Sequence, residues 1–159
     1  MAHKVHHFDR ITVNSDNMTL DLHFNHIERN FNNAQYELDT AIMNSMQPFM
    51  PMQDGNLINT TKAESAALAG SGQVVAATGS YGRFLYEGAT MVDEKTGSPW
   101  ARKGARKVPV SQFGGKTNAR STLSFSQSKH PQAQPHWFDP AKEKDLDEWV
   151  KVVKKEIGK

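Results

Sequence analysis

The chain of 159 residues has room for one domain with a modest core, residues 1–159, because single domains usually hold about 100 to 200 residues. Its hydrophobic fraction of 37% and mean hydropathy of -0.65 are low for a self-contained globule, which indicates that a partner covers part of its apolar surface. A net charge of +2 is too small to favour nucleic acid as the main ligand, and the lack of cysteine excludes disulfide frameworks, thiolate nucleophiles and thiolate metal sites.

Residues 1–9 contain histidines but no apolar run of the kind that a signal peptide needs. No part of the chain holds the roughly 18 consecutive apolar residues of a membrane span. We therefore expect a mobile amino terminus and no association with a membrane.

Residues 10–24 have the pattern of a β-hairpin. Met18, Leu20, Leu22 and Phe24 alternate with polar residues, which is the period of a strand with one buried face. The turn formers at 14–17 precede this run and follow a short apolar stretch that can supply the partner strand.

Residues 26–46 are predicted to form a long helix. Its apolar positions recur at helical spacing: Ile27, Phe31, Ala34, Leu38, Ala41 and Ile42. Asn25 and Glu28 have the spacing of a capping box, and the helix must end before Pro48, which disfavours helical backbone in the preceding residue.

The middle of the chain is rich in glycine. Ten of the eleven glycines lie between Gly55 and Gly115, which argues against long regular elements there. Residues 72–77 are a candidate strand, and residues 81–86 fit either a short helical turn or a strand.

Residues 95–129, which we call the basic arm, contain no carboxylate. They carry eight cations: Lys95, Arg102, Lys103, Arg106, Lys107, Lys116, Arg120 and Lys129. The arm can contact DNA phosphates, it can be a solvated surface loop, or it can be an extended arm that orders against a neighbouring subunit. We favour the third interpretation.

Residues 140–157 are predicted to form the C-terminal helix. Asp139 suits the N-cap, Pro140 suits the first helical position, and an apolar stripe follows. The stripe consists of Leu146, Trp149, Val150, Val153 and Ile157. The predicted fold class is therefore α+β: a small antiparallel sheet, packed by a long helix in the N-terminal half and by a C-terminal helix, with a long flexible basic arm.

No arrangement of residues has the pattern of a catalytic or metal site. His3, His6 and His7 lack an accompanying carboxylate motif, and the other histidines have none of the spacings of zinc hydrolases. We expect no enzymatic activity, no cofactor and no metal.

Five segments resemble a family of tailed-bacteriophage neck proteins, called minor capsid or tail completion proteins. The segments are 48–57 (PFMPMQDGNL), 81–88 (YGRFLYEG), 91–93 (MVD), 96–102 (TGSPWAR) and 130–138 (HPQAQPHWF). The first is similar to the family's "P-Y-V-P, then T-G-x-L" passage after a helix, and the others are similar to the branch found in long-tailed phages of Gram-positive hosts. Gln53 and Asp54 stand where threonine is usual, and Asn59 and Thr60 depart from the usual Arg-x-Ser.

The resemblance implies a structural subunit at the head-tail junction or the top of the tail, forming a ring around the DNA channel. Such a subunit is expected in the virion, after assembly in the host bacterial cytoplasm. Six copies are favoured over twelve, with portal-side, neck and tail terminator proteins as neighbours and non-specific contact with the DNA in the channel.

Two tryptophans bracket the basic arm and are candidate anchors of an assembly interface, since aromatic residues are enriched there. The candidate interface is Trp100, Arg102, Lys103, Arg106, Lys107 and Trp137. Two alternatives stay open: both tryptophans can pack on the subunit's own sheet, and residues 95–129 can serve a nucleic-acid-binding module.

Overall fold

A computed structural model describes residues 6–100, 102–117 and 119–159. Within them the chain forms four α-helices and two antiparallel two-stranded sheets, so the predicted α+β class is confirmed. The long helix of the N-terminal half packs along the C-terminal helix. Among the described residues, no helix combines the length and the apolar character that crossing a bilayer requires.

The hairpin consists of β1 (Ile11–Ser15) and β2 (Met18–Leu22), which pair antiparallel with Ile11 opposite Leu22 and Val13 opposite Leu20. This part of the prediction is confirmed. The expected burial of one face is wrong for the single subunit, because every residue of both strands is exposed.

Helix α1 (Asn25–Met46) ends where Pro48 predicts, and a 3-10 turn follows at Gln47–Phe49. The predicted capping box is wrong: within the described residues, no side chain caps the start of this helix. The Glu28 carboxylate instead lies 3.0 Å from the His7 ring, while the Glu28 amide donates to the carbonyl of Phe24.

Helix α4 (Phe138–Ile157) begins two residues before the predicted start at 140, so Asp139 lies in its first turn and does not cap it. Its buried Trp149 donates from Nε1 to Ser45 Oγ of α1 at 3.1 Å. The main core surrounds this contact and contains Met43, Met46, Phe49, Met50, Ile58, Trp137, Ala141 and Trp149.

Two helices occupy the glycine-rich middle. Helix α2 (Asn56–Leu68) contradicts the expectation that long elements are absent there, and α3 (Gly79–Glu87) shows that the 81–86 segment is helical. Residues 72–77 form no strand. Gly55 and Gly70 have positive φ angles of 83° and 86°, so these glycines mark the ends of α2 and do not interrupt it.

A second sheet ties the basic arm to its own subunit. Strands β3 (Met91–Asp93) and β4 (Lys107–Pro109) pair antiparallel, and Ala89 forms an isolated bridge with Thr122. Much of the arm is irregular, as its composition predicts. It does not extend away from the subunit, because the amides of Val110 and Leu123 donate to the carbonyls of Thr90 and Gly88.

Candidate assembly surface

Three of the five segments singled out in the sequence, 48–57, 81–88 and 130–138, pack against each other. In the 130–138 segment, His130 Nδ1 lies 2.8 Å from the Met50 carbonyl, and the amide of Gln134 donates to Phe49 at 3.0 Å. The amide of His136 donates to the carbonyl of Tyr86 in α3 at 2.8 Å. Segments far apart in the chain therefore form one block beneath the start of α4.

Trp137 belongs to this block, so its place in the predicted assembly interface is wrong. Its side chain is fully buried, at 0% exposure, and Nε1 donates to the carbonyl of Ala76 at 2.7 Å. The ring meets that of Tyr86 edge to face, with centroids 4.9 Å apart. Trp137 therefore packs within its own subunit, which was the alternative to an interface role. It packs against helices and loops, whereas that alternative named the sheet. A residue enclosed in this way offers no surface to a neighbour.

Trp100 has the opposite environment, with 86% of its surface exposed. It lies in a loop that leaves β3 and returns through β4. We call this the Trp100 loop, comprising residues 93–100 and 102–107. Its backbone is held on both sides of the tryptophan: the Trp100 amide donates to Ser98 Oγ at 3.1 Å, and Lys107 Nζ donates to the Pro99 carbonyl at 3.2 Å.

The buried Asp93, at the end of β3, holds the backbone of the Trp100 loop in place. One carboxylate oxygen accepts the amides of Lys95 and Thr96 at 2.8 and 3.0 Å. The other accepts the amide of Arg102 at 3.2 Å, while the Asp93 amide donates to the Ser98 carbonyl at 2.8 Å. One side chain thus satisfies backbone donors from both ends of the loop.

The Arg102 side chain completes this network. Its Nε lies 3.0 Å from one Asp93 carboxylate oxygen and its Nη2 lies 3.2 Å from the other, which is the two-pronged geometry that guanidinium groups favour. Hydrogen bonds from the Arg102 side chain and, to a smaller extent, from the Lys95 amide hold the pKa of Asp93 well below its usual range. The Asp93 carboxylate in turn raises the pKa of Arg102.

The Trp100 loop also packs closely against the Phe113 ring, at Gly97. This glycine has a φ of 66°, and a Cβ built on it would lie 2.3 Å from Cε1 of Phe113. Thr117 Oγ1 donates to the Gly97 carbonyl at 2.7 Å. The loop is therefore fixed on both sides, while the indole ring of Trp100 projects from it.

The four cations of the predicted interface are not equivalent. Arg102 is committed to Asp93, and Lys107 lies half-buried with its Nζ 5.9 Å from the centre of the Phe84 ring. Lys103 and Arg106 are exposed and lie in the same loop as the tryptophan. The predicted interface residues thus offer a partner an exposed aromatic ring and two exposed cations, which suits a partner with an apolar recess rimmed by carboxylates.

Two further exposed apolar surfaces were not among the predicted interface residues. One is the hairpin face formed by Ile11, Val13, Met18, Leu20 and Leu22, and the other is the α4 stripe formed by Leu146, Val150 and Ile157. Both patterns are visible in the sequence, but each was assigned to the subunit's own core. The described His, Asp and Glu side chains form no group of three or more that could hold a metal ion.

Comparisons with protein-family models, with curated proteins and with solved structures give no significant match.

Proposed function

We propose that this protein is a non-enzymatic structural subunit of the neck of a long-tailed bacteriophage, forming a ring around the DNA channel at the head-tail junction or the top of the tail. The observation that carries the assembly role is Trp100, 86% exposed on a loop fixed from beneath by Asp93. The phage neck is suggested by the resemblance in segments 48–57, 81–88, 91–93, 96–102 and 130–138.

The geometry of the loop favours a role in binding protein. A few buried aromatic and arginine residues usually provide most of the binding free energy of an interface, and tryptophan is enriched among them. A loop that is already ordered loses little conformational entropy when it binds. The Asp93 network orders the loop, so Trp100 is presented to a neighbour at low entropic cost.

The charge distribution suits a position near DNA. The basic arm carries eight cations and no carboxylate, whereas the rest of the chain carries seventeen carboxylates and eleven cations. A ring would bring several copies of this arm together and attract the DNA backbone without reading its sequence. The expected neighbours are other copies, six being favoured over twelve, together with portal-side, neck and tail terminator proteins.

The assembly role is tested by measuring the mass of the particle by size-exclusion chromatography with light scattering, alone and mixed with the adjoining neck and tail proteins. We expect a ring for the wild type and a loss of at least tenfold in assembly affinity for Trp100→Ala. Tyr36→Ala is the matched control, because Tyr36 is an exposed aromatic residue on α1, outside the basic arm.

A wild-type chain that stays monomeric in every mixture and is absent from purified virions would contradict the proposal. Equal losses for Trp100→Ala and Tyr36→Ala would leave a ring but remove the Trp100 loop as its contact. Imaging of the virion neck gives the copy number directly.

A nucleic-acid-binding module is the second candidate, favoured by the presence of exposed Trp100, Lys103 and Arg106 in one loop. An accessible indole ring can stack on the bases of a single strand while cations contact its phosphates. The test is the salt dependence of the affinity for single-stranded and duplex DNA. Changing Lys103 and Arg106 to alanine should reduce the slope of log affinity against log salt by about 1 to 2. Negligible affinity at low salt would exclude this candidate.

A further inference from the structure

Within the described residues, the hairpin makes few contacts with the other helices and strands of its own subunit. Its apolar side chains all lie on one face, whereas the opposite face carries Thr12, Asn14, Thr19 and Asp21. Among the described residues, no other helix or strand packs extensively on either strand, and Met18 is 67% exposed. The apolar face is therefore open to solvent along its whole length.

Such an element needs a cover to be stable. A lone two-stranded hairpin is at best marginally stable in water and usually requires further strands or a packed helix. The ion pair between Arg10 and Asp21 supports the polar face, but exposed pairs contribute little. The missing stabilisation has to come from apolar contacts on the other face, and the described part of the subunit does not supply them.

A complementary surface exists elsewhere on the same chain. Leu146, Val150 and Ile157 form an exposed stripe on α4, on the side of the helix next to the buried Trp149. The stripe extends for about 16 Å along the helix axis, at ~1.5 Å per residue. A strand of five residues such as β2 extends for a similar distance, about 17 Å.

The charges around these two surfaces are also complementary. Residues 9–22 carry three aspartates and one arginine, and that arginine is paired with Asp21. Residues 146–159, which contain the stripe, carry four lysines and three carboxylates, and two of the lysines are paired, Lys151 with Glu148 and Lys159 with Glu156. The hairpin is thus net acidic, with a charge of -2, and the part of α4 that contains the stripe is net basic, with a charge of +1, so electrostatics weakly favour their approach.

From these features we infer that the occupant of the hairpin face is a second copy of this chain, whose α4 stripe lies on Ile11, Val13, Met18, Leu20 and Leu22. The contact joins two different surfaces of identical chains, so each copy offers one hairpin and one stripe. Contacts of this head-to-tail type close into rings when the rotation between neighbours allows it. The inference rests on the proposed ring and names a contact within it that does not involve the Trp100 loop.

Disulfide trapping tests the contact directly, because the chain has no cysteine of its own. Val13→Cys and Val150→Cys are made as separate proteins, mixed and oxidised, and the products are identified by mass spectrometry. A disulfide forms only when the two Cα atoms come within about 7 Å, so the mixed product reports contact between copies. Thr19→Cys, on the opposite face of the hairpin, is the matched control.

We expect at least tenfold more mixed disulfide from Val13→Cys with Val150→Cys than from Thr19→Cys with Val150→Cys. Equal yields from the two mixtures would overturn the inference. So would a predominance of Val13→Cys linked to itself, which would mean that two hairpins pair face to face. Leu20→Asp and Val150→Asp should each lower assembly affinity at least tenfold with an unchanged circular dichroism spectrum, and Thr19→Asp should not.

Trapping is performed on the oligomer that forms in solution or, if the chain oligomerises only with its neighbours, on assembled particles. An intact ring that yields no excess of mixed disulfide overturns the hairpin contact and leaves the proposed function standing. A chain that enters neither an oligomer nor a particle overturns both.

Discussion

The surroundings of Trp137 and those of Trp100 show how two similar sequence features reach opposite environments. Each tryptophan lies at one end of an acid-free stretch, and hydrogen bonds organise the chain beside each. Trp137 meets the Tyr86 ring of α3 and the Ala76 carbonyl, and these neighbours enclose it. The hydrogen bonds of the Trp100 loop join residues within the loop itself, so they fix its backbone without covering the indole ring. Order and burial are therefore separate properties here, and an ordered but uncovered aromatic ring is suited to an intermolecular contact.

The largest expected effect on folding is that of Trp137→Ala. The change removes a fully buried ring and leaves the Ala76 carbonyl without its donor. We expect the free energy of unfolding to fall by about 3 to 5 kcal/mol, measured by urea denaturation. Trp137→Phe should lose less, because it keeps most of the ring volume. A loss below about 1 kcal/mol for the alanine variant would mean that the block around Trp137 is loosely packed.

Gly97→Ala should be the next most damaging change, and Gly104→Ala is its matched control. Both glycines have left-handed backbone, with φ of 66° and 75°. A Cβ at Gly97 would strike the Phe113 ring, while one at Gly104 has nothing within 4 Å. We expect about 1 kcal/mol for Gly104→Ala, and about 2 to 3 kcal/mol more for Gly97→Ala, because the ring must move. Equal losses of unfolding free energy for the two variants, in thermal or urea unfolding, would show that the Phe113 ring moves aside at little cost.

Asp93→Asn tests whether the negative charge of the Asp93 carboxylate stabilises the protein. The test is how the difference in stability between variant and wild type changes with pH. The pKa of Asp93 is lowered in the folded protein, so its stabilisation is present above the unfolded carboxylate's pKa of about 4 and is lost as the pH falls towards the lower folded value. The urea midpoint of the variant should therefore lie below that of the wild type at pH 7, and the difference should shrink below pH 4.

A local measurement accompanies this prediction. Trypsin should cut Asp93→Asn faster at Arg102 or Lys103 than it cuts the wild type, because the loop loses backbone and side-chain partners. A difference in urea midpoint that is the same at pH 7 and pH 3 would argue against a role for the charge.

The smallest effect on folding belongs to Trp100→Ala. An exposed side chain makes few contacts within its subunit, so the free energy of unfolding should change by no more than about 0.5 kcal/mol. The same variant is expected to impair assembly, so stability and assembly separate at this position. A loss of stability close to that of Trp137→Ala would mean that Trp100 is buried in the subunit in solution.

Local patterns in the sequence predicted much of the secondary structure. The alternation at 18–22 produced a strand, the helical spacing at 27–42 and 146–157 produced helices, and Pro48 ended α1. These features follow from backbone geometry and from the direction of neighbouring side chains, which depend on residues close together in the chain. Glycine content alone does not predict the long helix α2, because the glycines border it, and residues 56–68 contain neither glycine nor proline.

Within the candidate interface, Trp100, Lys103 and Arg106 are exposed, but the sequence could not separate them from buried Trp137, from Arg102, which binds Asp93, or from half-buried Lys107. The carboxylate that binds Arg102 lies only nine residues away, yet nothing in its spacing distinguishes it from a solvated aspartate. The sequence by itself determined the hairpin and the two long helices α1 and α4, since their periodic patterns depend on local chain geometry. Only the tertiary structure decided which aromatic ring is enclosed and which apolar faces stay open, because burial depends on surfaces brought together from distant parts of the chain.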